Sequence, residues 1–512
     1  MMKRAVSVLL SAALMLSVLT GCGKSGSVSK KNIPAEETAE SKKIALSDSG
    51  ITVDGAAISD DETAAVYAAQ DIVYYEEGQG VAYGAGTDAD AHSQEEADAH
   101  TVVHITQPGT YTLSGTLSAG QIAVDLGDGA EEDPEAVVTI VLDGVDITCT
   151  VAPAIIFYRV YECGSADMET ATQTVDTSAA GANVVIADGA ENRVTGSHVA
   201  KIYKPESVTL NADGTAVEEA KKLHKYDGAL YSKMSMNVSG GEAGTGTLEI
   251  VADNEGLDSE LHLTINSGNI HILAGNDGIN TNEDGVSVTT INGGTLRIEV
   301  TGETGEGDGI DSNGWLVING GMVIAAACSD SADSGLDSDN GIYINGGIVI
   351  ASGNMYDAVD GGDQTYAVFQ FAQKQSGGQT YTLKNAAGET ILEMTPENAF
   401  QYLVVSTPGL AEGEYTLWCG DTQLGGSTGS VGGPSGGMGR PDGQPPEGAP
   451  GQKPEGADDG QQPPEPPADG QRPEGGPNGA MDGGNSADAA ECSDTFTLQS
   501  GANQFTNVGA LT

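Results

Sequence analysis

Basic residues, cysteines and long apolar runs are scarce in this sequence, and each shortage excludes a class of protein. The 21 lysines and arginines face 74 acidic residues, a net charge of −53, so nucleic acid and anionic lipid surfaces repel the chain. Beyond the N-terminus, no stretch is long and apolar enough to span a bilayer. Five of the six cysteines follow Cys22 at irregular spacing, which is neither a zinc pattern nor a disulfide framework.

The one long apolar run stands at the N-terminus. Lys3 and Arg4 precede the run Ala5–Leu19, which is short for a membrane span and has the shape of a signal peptide. The residues Leu19-Thr-Gly-Cys22 that end it resemble a bacterial lipobox. We therefore predict a lipoprotein signal peptide over 1–21, lipid attachment at Cys22 and a tether over 22–43, on the outer face of the cell membrane. An ordinary secretory signal with an incidental cysteine is the alternative.

A repeated phrase dominates the middle of the chain. The phrase ends in glycine at five positions whose spacing is nearly constant. The copies are Val238-Ser-Gly-Gly241, Ile265-Asn-Ser-Gly268, Ile291-Asn-Gly-Gly294, Ile318-Asn-Gly-Gly321 and Ile344-Asn-Gly-Gly347. A fixed period of this size indicates a stacked repeat protein.

Both flanks of the repeated phrase alternate apolar and polar residues. In the fourth copy, Leu316 and Ile318 precede the glycines, and Val323 and Ala325 follow them. A period of two marks strands whose alternate residues are buried, and the glycines allow the positive φ of a corner between them. No segment carries a helical period, and the glycine spacing of the nonapeptide calcium β-roll is absent. We therefore predict an all-β chain that forms a parallel β-helix (solenoid) over 44–420, with rungs of about 26 residues.

Each copy also carries an acidic phrase of the type Asp-Gly-Ile-Asp. Equivalent positions on successive rungs lie about 4.8 Å apart, so two stacked carboxylates repel by about 3.5 kcal/mol at an effective dielectric of about 20. A hard cation such as Ca²⁺, which tolerates irregular oxygen cages, removes that repulsion. The alternative is that these residues merely suit solvated turns. One predicted column comprises Asp258, Asn280, Asp311, Asp337 and Asp360, and a second comprises Glu255, Asp277, Asp308 and Asp357. The predicted metal ligands are Asp258, Asn280, Asp308, Asp311, Asp337 and Asp360.

Outward positions on the strand before the asparagine are candidates for ligand contact. They are His262, Thr264, Thr290, Trp315 and Tyr343. Trp315 and Tyr343 fall one rung apart on the same face, in a chain with only 5% aromatic residues. We predict that these two rings form a platform on which sugar rings stack. The alternative is that a neighbouring loop covers the tryptophan.

The composition changes after residue 420. Residues 421–490 are mostly Gly, Pro, Gln, Asp and Glu, which cannot bury enough apolar surface to offset the entropy of ordering. We predict that this segment is disordered, and that 491–512 is either a terminal strand or a tail. Upstream, we predict a helical turn over Glu218–Lys225.

Several motifs together resemble one family. The phrase Asp308-Gly-Ile-Asp-Ser-Asn313, the Ile-Asn-Gly-Gly copies, Gly109-Thr-Tyr-Thr-Leu-Ser-Gly115 and the lipobox resemble bacterial carbohydrate-binding lipoproteins. The resemblance covers 45–420. It implies a pectate-lyase-like right-handed β-helix, Ca²⁺ bound by the stacked acids, and affinity for plant polysaccharides such as cellulose or polygalacturonate. Ser334 and Asn280 depart from the pattern, which usually has an acid at both positions.

We therefore expect a monomeric, lipid-anchored, calcium-binding protein that binds acidic or plant-type polysaccharide outside the cell without cleaving it. A calcium-dependent uronate lyase is one alternative. It would need a basic residue close to the calcium as a proton acceptor, for which Lys233 and Arg297 are the candidates. A surface adhesion or structural β-helix without a sugar ligand is the other alternative.

Overall fold

The computed structural model describes residues 41–72, 79–84, 94–199, 201–223, 225–431 and 492–511. Cys22, the predicted signal peptide, most of the predicted tether and most of the predicted disordered segment lie outside these residues. Within them, the chain forms 36 strands and a single five-residue α-helix, which confirms the all-β class. None of the helical structure in these ranges is long and apolar enough to cross a membrane.

The helix α1 spans Gln94–Asp98. The strands are β1 (Ser41–Leu46), β2 (Thr52–Val53), β3 (Ala56–Ala57), β4 (Val66–Ala69), β5 (Thr101–Ile105), β6 (Gly109–Leu117), β7 (Gly120–Asp125), β8 (Val138–Thr148), β9 (Ile155–Arg159), β10 (Ala182–Ile186), β11 (Glu191–Gly196), β12 (Thr209–Leu210), β13 (Val217–Glu219), β14 (Gly228–Ser232), β15 (Met236–Gly240), β16 (Thr247–Ala252), β17 (Glu255–Ser259), β18 (His262–Ile265), β19 (Asn269–Ala274), β20 (Ile279–Thr281), β21 (Val288–Ile291), β22 (Thr295–Val300), β23 (Ile310–Ser312), β24 (Trp315–Ile318), β25 (Met322–Ala326), β26 (Gly341–Ile344), β27 (Ile348–Gly353), β28 (Val359–Gly361), β29 (Tyr366–Gln375), β30 (Tyr381–Asn385), β31 (Thr390–Met394), β32 (Phe400–Ser406), β33 (Gly413–Cys419), β34 (Thr422–Thr428), β35 (Phe496–Leu498) and β36 (Ala502–Ala510).

Most strands before residue 362 belong to three stacks of parallel strands. Stack A contains β6, β8, β10, β15, β18, β21, β24, β26 and β28. Stack B contains β11, β16, β19, β22, β25 and β27. Stack C contains β5, β7, β9, β14, β17, β20 and β23. From β17 to β25 the chain passes through stacks C, A and B in that order in each repeat.

The strand register matches the repeat. Ile265, Ile291, Ile318 and Ile344 lie opposite one another in stack A. They are buried and join one continuous aliphatic core, as their period-two pattern predicts. The final glycine has the predicted positive φ in four of the five copies, all but Gly241. Gly321 has φ +84°, and a Cβ there would lie 2.8 Å from the Gly293 carbonyl carbon, so a side chain would meet both strain and backbone.

The asparagine side chains of four successive repeats form hydrogen bonds with one another, which the sequence analysis did not predict. Asn292 Nδ2 donates to Asn266 Oδ1 at 3.0 Å. Asn319 Nδ2 donates to Asn292 Oδ1 at 3.0 Å, and Asn345 Nδ2 donates to Asn319 Oδ1 at 2.8 Å. These four side chains form an asparagine ladder along the corner between stacks A and B.

The strands β29–β36 form a separate, mainly antiparallel module. β32 joins it to the stacks, because it pairs with both β27 and β29. The module has its own hydrophobic core, in which the rings of Phe369 and Phe505 stack with centroids 5.4 Å apart. β34 (Thr422–Thr428) and the strands after residue 492 belong to it. The predicted domain boundary at 420 is therefore too early, and the strand alternative for 491–512 is the one observed.

Two further boundaries differ from the predictions. β1 begins at Ser41, inside the predicted tether, and pairs with β6 through Leu46. The predicted helical turn over Glu218–Lys225 was wrong, because β13 pairs with β12 there as a short hairpin. Its charged run favours a helix in isolation, but the backbone pairing of the hairpin overrides that preference.

Candidate functional site

The first acidic column is formed as predicted over four of its five members. Asp258 lies opposite Asn280, and Asn280 lies opposite Asp311, on successive strands of stack C. Asp337 continues the column, because its N–H donates to the Ile310 carbonyl and its carbonyl accepts from Ser312 N–H. The four side chains therefore follow one another along the outward face of stack C.

Asp360 does not join this column. It lies on β28, which pairs with β26 of stack A, and its Oδ2 accepts from the Ile342 N–H at 3.1 Å. Ile342 pairs with Leu316 on one side and with Val359 on the other. The chain between Ile342 and Val359 is much shorter than the chain between Leu316 and Ile342. The strand that follows β27 therefore pairs in stack A, and the last repeat contributes no strand to stack C. Asp357 lies beside the end of the column instead, where its Oδ2 accepts from Ser338 N–H at 3.2 Å.

The second acidic column lies beside the first; compared with the prediction it gains Asp227 and Ser334 and lacks Asp357. Backbone hydrogen bonds link its members in the order Asp227, Glu255, Asp277, Asp308 and Ser334. Asp227 was missed, although the Asp227-Gly228 phrase that opens β14 could have identified it. Ser334 contributes a neutral hydroxyl in place of a carboxylate.

Several buried oxygens in these columns have no hydrogen-bond partner. Asn280 Nδ2 donates to Glu255 Oε1 at 3.0 Å, and Asn282 Nδ2 donates to Asp258 Oδ1 at 2.6 Å. No nitrogen or hydroxyl donor reaches the remaining oxygens, Glu255 Oε2, Asp258 Oδ2 and Asn280 Oδ1, which are buried. The Glu255 and Asp258 carboxyls contact each other, which requires a shared proton or a cation between them. Glu255, Asp258 and Asn280 are at most 8% exposed. A buried polar atom without a partner costs about 1–3 kcal/mol, and more if it is charged.

Burial and mutual repulsion raise the pKa of most carboxyls in the columns. Burial, with the neighbouring carboxylates, raises the pKa of Glu255 to about 7 and that of Asp277 to about 8. The same causes raise the pKa of Asp308 to about 9 and that of Asp311 to about 8. The pKa of Asp258 is raised well above its usual range, first by burial and then by Glu255. At neutral pH these carboxyls must therefore be protonated, or a bound cation must balance their negative charge.

The side-chain oxygens that could bind a metal ion in these columns are of two kinds, carboxylate and amide. Within the described ranges, no three His, Cys, Asp or Glu side chains are grouped so that they could hold a metal ion. The unpartnered atoms at the Asp258 end are two carboxylate oxygens and one amide oxygen. Hard cations such as Ca²⁺ accept this combination, together with carbonyls and water. The chemistry of the residues therefore fits Ca²⁺.

The basic residues considered for a lyase lie away from the columns. Arg297 is on stack B and forms an ion pair with Glu397, and Lys233 Nζ lies 3.4 Å from Glu131. A different residue, Lys222, reaches the second column, where its Nζ lies 2.8 Å from Asp227 Oδ2. Burial alone would lower the pKa of Lys222, but Asp227, Glu255 and Asp258 raise it above its usual value.

The predicted sugar platform lies on the outward face of stack A. Trp315 and Tyr343 are both half-buried. Tyr343 lies opposite Val317, and Trp315 lies opposite Gly341, so the two rings are diagonal neighbours on one face. A Cβ on Gly341 or on Gly361 would lie 3.3 Å from the Tyr343 ring. These two glycines therefore leave the space that the tyrosine ring needs.

Residues 164–180, called the strap below, cover part of this face. The prediction that His262 and Thr264 face outward was therefore wrong. His262 and Thr264 are 2% and 6% exposed. Thr177 of the strap contacts Thr264 Oγ1 at 2.7 Å and donates to Asn237 Oδ1 at 2.8 Å. Burial lowers the pKa of His262 to about 4. The outward face that remains open begins with Thr290, which is half-buried.

Comparisons with known proteins find one curated relative and one solved structure with partial similarity to this chain. A curated carbohydrate-binding domain-containing protein from Acetivibrio thermocellus is 31% identical over 173 residues, which cover 34% of this chain and 45% of that protein. The chain thus spans less than half of that relative. A solved polysaccharide lyase-like protein from C. thermocellum, a gadolinium derivative, is 22% identical and covers 60% of this chain and 93% of its own. Its TM-score of 0.33 is too low to assign a common fold.

The family match covers the stacks and both acidic columns. Residues 99–367, more than half of the chain, match the family described as carbohydrate-binding domain-containing protein. This chain therefore belongs to the family of carbohydrate-binding domain-containing proteins.

Proposed function

We propose that this protein is a non-catalytic polysaccharide-binding protein whose acidic columns bind Ca²⁺. Family membership supports a polysaccharide ligand. The geometric observation that carries the calcium part is the group of three buried, unpartnered oxygens on Glu255, Asp258 and Asn280. Further along, Asp308, Asp311 and Asp337 would hold Ca²⁺ in the same way. Bound Ca²⁺ supplies positive charge that offsets the repulsion within the columns.

The open part of the stack A face is the proposed sugar-binding surface. Trp315 and Tyr343 lie there with apolar ring surface available to water, beside a corner that leads directly to the acidic column at Asp311. Aromatic rings offer a large apolar contact area at low cost in side-chain entropy. Acidic polysaccharide would need Ca²⁺ between its own carboxylates and those of the protein, whereas neutral polysaccharide would not.

Retention on insoluble polysaccharide tests this proposal. We expect the full chain to be retained on insoluble pectin or cellulose, and Trp315→Ala to weaken retention about tenfold, the loss of about 1.4 kcal/mol of ring contact. Trp418→Ala is the matched control, since the second tryptophan lies in the β29–β36 module on β33. Retention on pectin that is lost with chelator supports a calcium bridge. Absence of retention on either material would favour the adhesion alternative.

The lyase alternative has one observation in its favour, which is that the ammonium of Lys222 reaches the second column. Its raised pKa, however, keeps Lys222 protonated at neutral pH, and a proton acceptor needs a free lone pair. Non-catalytic binding is therefore the better proposal. Ultraviolet absorbance of unsaturated uronides, followed with polygalacturonate and Ca²⁺, tests this choice. A sustained rise that Lys222→Met abolishes would establish the lyase.

We also propose that the three stacks wind as a right-handed parallel β-helix and that lipid on Cys22 holds it outside the cell. The register, in which each residue of a strand pairs with its equivalent one repeat later, supports the first part, because parallel crossovers are right-handed in nearly all sheets. A crystal structure with left-handed winding would contradict it. The lipobox-like Leu19-Thr-Gly-Cys22 supports the second part.

A further inference from the structure

Tyr343, one ring of the proposed sugar platform, lies along the surface of stack A. A Cβ on Gly341 would lie 3.3 Å from Cε2 of the ring, and a Cβ on Gly361 would lie 3.3 Å from Cδ1 and from Cε1. Opposite edges of the half-buried ring therefore rest on two neighbouring strands. A ring in this position turns one face to the protein and the other to solvent, as a sugar ring that stacks on it requires.

A β-bulge places a carboxylate beside this ring. Ile342 pairs with Val359 and Tyr343 pairs with Gly361, so Asp360 has no partner on β26. A bulge changes the direction in which the side chain of its extra residue points. Asp360 is exposed, and its Oδ2 accepts from the Ile342 N–H at 3.1 Å. The backbone of the neighbouring strand therefore holds the carboxylate in place.

The carboxylate and the ring share one small area of the face. A Cβ on Gly341 would lie 2.8 Å from Asp360 Oδ2 and 3.3 Å from Tyr343 Cε2, so these two atoms are no more than about 6 Å apart. In the described part of the chain, Asp360 forms no ion pair and no other hydrogen bond. Its remaining lone pairs can therefore accept hydrogen bonds from a ligand beside the ring.

The surroundings of the platform add further negative charge. Asp284 and Asp339 stand in the turns before β21 and β26, the two strands that pair with the Trp315 strand, and they repel each other. Within the described ranges, none of the ion pairs involves Asp284, Asp339 or Asp360. An anionic polymer that approaches Trp315 and Tyr343 therefore meets repulsion, whereas an uncharged polymer does not.

We propose that Asp360 determines the specificity of the platform: its carboxylate accepts hydrogen bonds from the hydroxyls of a sugar that stacks on Tyr343, and its charge rejects sugars that carry a carboxylate. Hydrogen bonds from a hydroxyl to a carboxylate are short and about twice as strong as those between neutral groups. The platform therefore selects uncharged polysaccharide and needs no Ca²⁺. The inference rests on the proposed function, because it assigns a substrate class to the sugar-binding surface proposed above.

Two soluble polymers with the same backbone test this selection. Hydroxyethyl cellulose is uncharged, whereas carboxymethyl cellulose carries carboxylates. Their affinities for the full chain are compared by isothermal titration in the presence of chelator, which removes any calcium bridge. We expect the wild type to bind the uncharged polymer about tenfold or more tightly than the charged one.

Asp360→Asn separates a role in specificity from a role in folding, because its amide oxygen can still accept from the Ile342 N–H. The uncharged polymer should bind about fivefold less tightly, since a charge-assisted hydrogen bond is lost. The charged polymer should bind about threefold more tightly, since one repulsive charge at about 7 Å is removed. Asp143→Asn removes the same charge at an exposed position of β8, on a different strand, and should change neither affinity.

The preference for the uncharged polymer decides the inference. Equal affinity of the wild type for both polymers in chelator, or an Asp360→Asn variant with an unchanged preference, would overturn it. Tyr343→Ala should weaken the binding of the uncharged polymer, because the stacking surface is lost. A Tyr343→Ala variant that binds as the wild type does, or a wild type that binds neither polymer, contradicts the proposed sugar-binding surface itself.

Discussion

Raising the pH from 6.5 to 9 should destabilise the calcium-free protein and leave the calcium-bound protein nearly unchanged. The cause lies in Asp277, Asp308 and Asp311, whose pKa values burial raises to about 8, 9 and 8. A carboxyl whose pKa is higher in the folded state binds more protons there than in the unfolded chain. Stability is therefore lost as the pH rises toward the folded-state pKa.

The magnitude follows from one carboxyl. Asp308, with a pKa of about 9, keeps its proton in the folded state over most of the range from pH 6.5 to 9, whereas it is ionised in the unfolded chain. Over these about 2.5 pH units the free energy of unfolding falls by about 3 kcal/mol, at 1.36 kcal/mol per unit. The three carboxyls repel one another, so their shifts are not summed. The buried His262 acts in the opposite direction, because burial lowers its pKa to about 4. Its contribution changes mainly below pH 6.5, outside the chosen range.

Urea denaturation at the two pH values, with chelator and with excess Ca²⁺, measures this effect. With Ca²⁺ at about a thousand times its Kd, binding adds about 4 kcal/mol and the carboxylates no longer need protons. Asp308→Asn should remove about 3 kcal/mol of the pH dependence in chelator, whereas Asp363→Asn, at an exposed position, should leave it intact. A calcium-free protein that is equally stable, or more stable, at pH 9 would refute the reasoning.

Three other changes have defined outcomes. Asn319→Ala breaks two bonds of the asparagine ladder and should lower the free energy of unfolding by about 1–2 kcal/mol, whereas Asn345→Ala, which breaks one, should cost about half as much; equal losses in urea denaturation would contradict this. Thr177→Val removes both hydroxyl contacts of Thr177 and should speed hydrogen exchange over 164–180 about tenfold or more, from a loss of about 1–3 kcal/mol; unchanged exchange would mean that the backbone contacts of the strap hold it. Cys22→Ala should move the protein from the membrane fraction to the soluble fraction on cell fractionation, and continued membrane association would exclude a lipid on Cys22 as the anchor.

The stacking of the repeats was predictable from sequence because each copy repeats both an aliphatic and a glycine position. Ile291, Ile318 and Ile344 align as their spacing requires, and Asp258, Asn280 and Asp311 follow from the same register. The position of a residue within its repeat can be read from the sequence alone, and it fixes which residues of neighbouring repeats lie opposite one another. The displacement of Asp360 was not visible in the spacing, because the stretch β26–β28 (341–361) is about as long as β18–β20 (262–281), whose last strand does join stack C.

Contacts between distant segments were not predictable in this way. The strap comes from well before His262 and Thr264 in the sequence, yet Gly164 lies against His262 and Thr177 contacts Thr264. Its irregular sequence carries no signal for where it lies. Lys222 is only five residues from Asp227, but its backbone is held by a bridge to Tyr203 earlier in the chain, which a charged run alone does not indicate. The β29–β36 module shows in the sequence only as a few extra strands, since its phenylalanine core forms between segments that are far apart along the chain, such as those of Phe369 and Phe505.

The asparagine ladder has a consequence for how the protein can change in length over evolution. The amides of Asn292 and Asn319 each donate toward the N-terminal repeat and accept from the C-terminal one, so each link needs a neighbour in the same register. A duplication or deletion of one whole repeat leaves every remaining link correctly paired, whereas an insertion of a few residues within one strand breaks the links on either side of it. The outward face of the stacks can therefore lengthen in units of one repeat, with both chain ends left as they are.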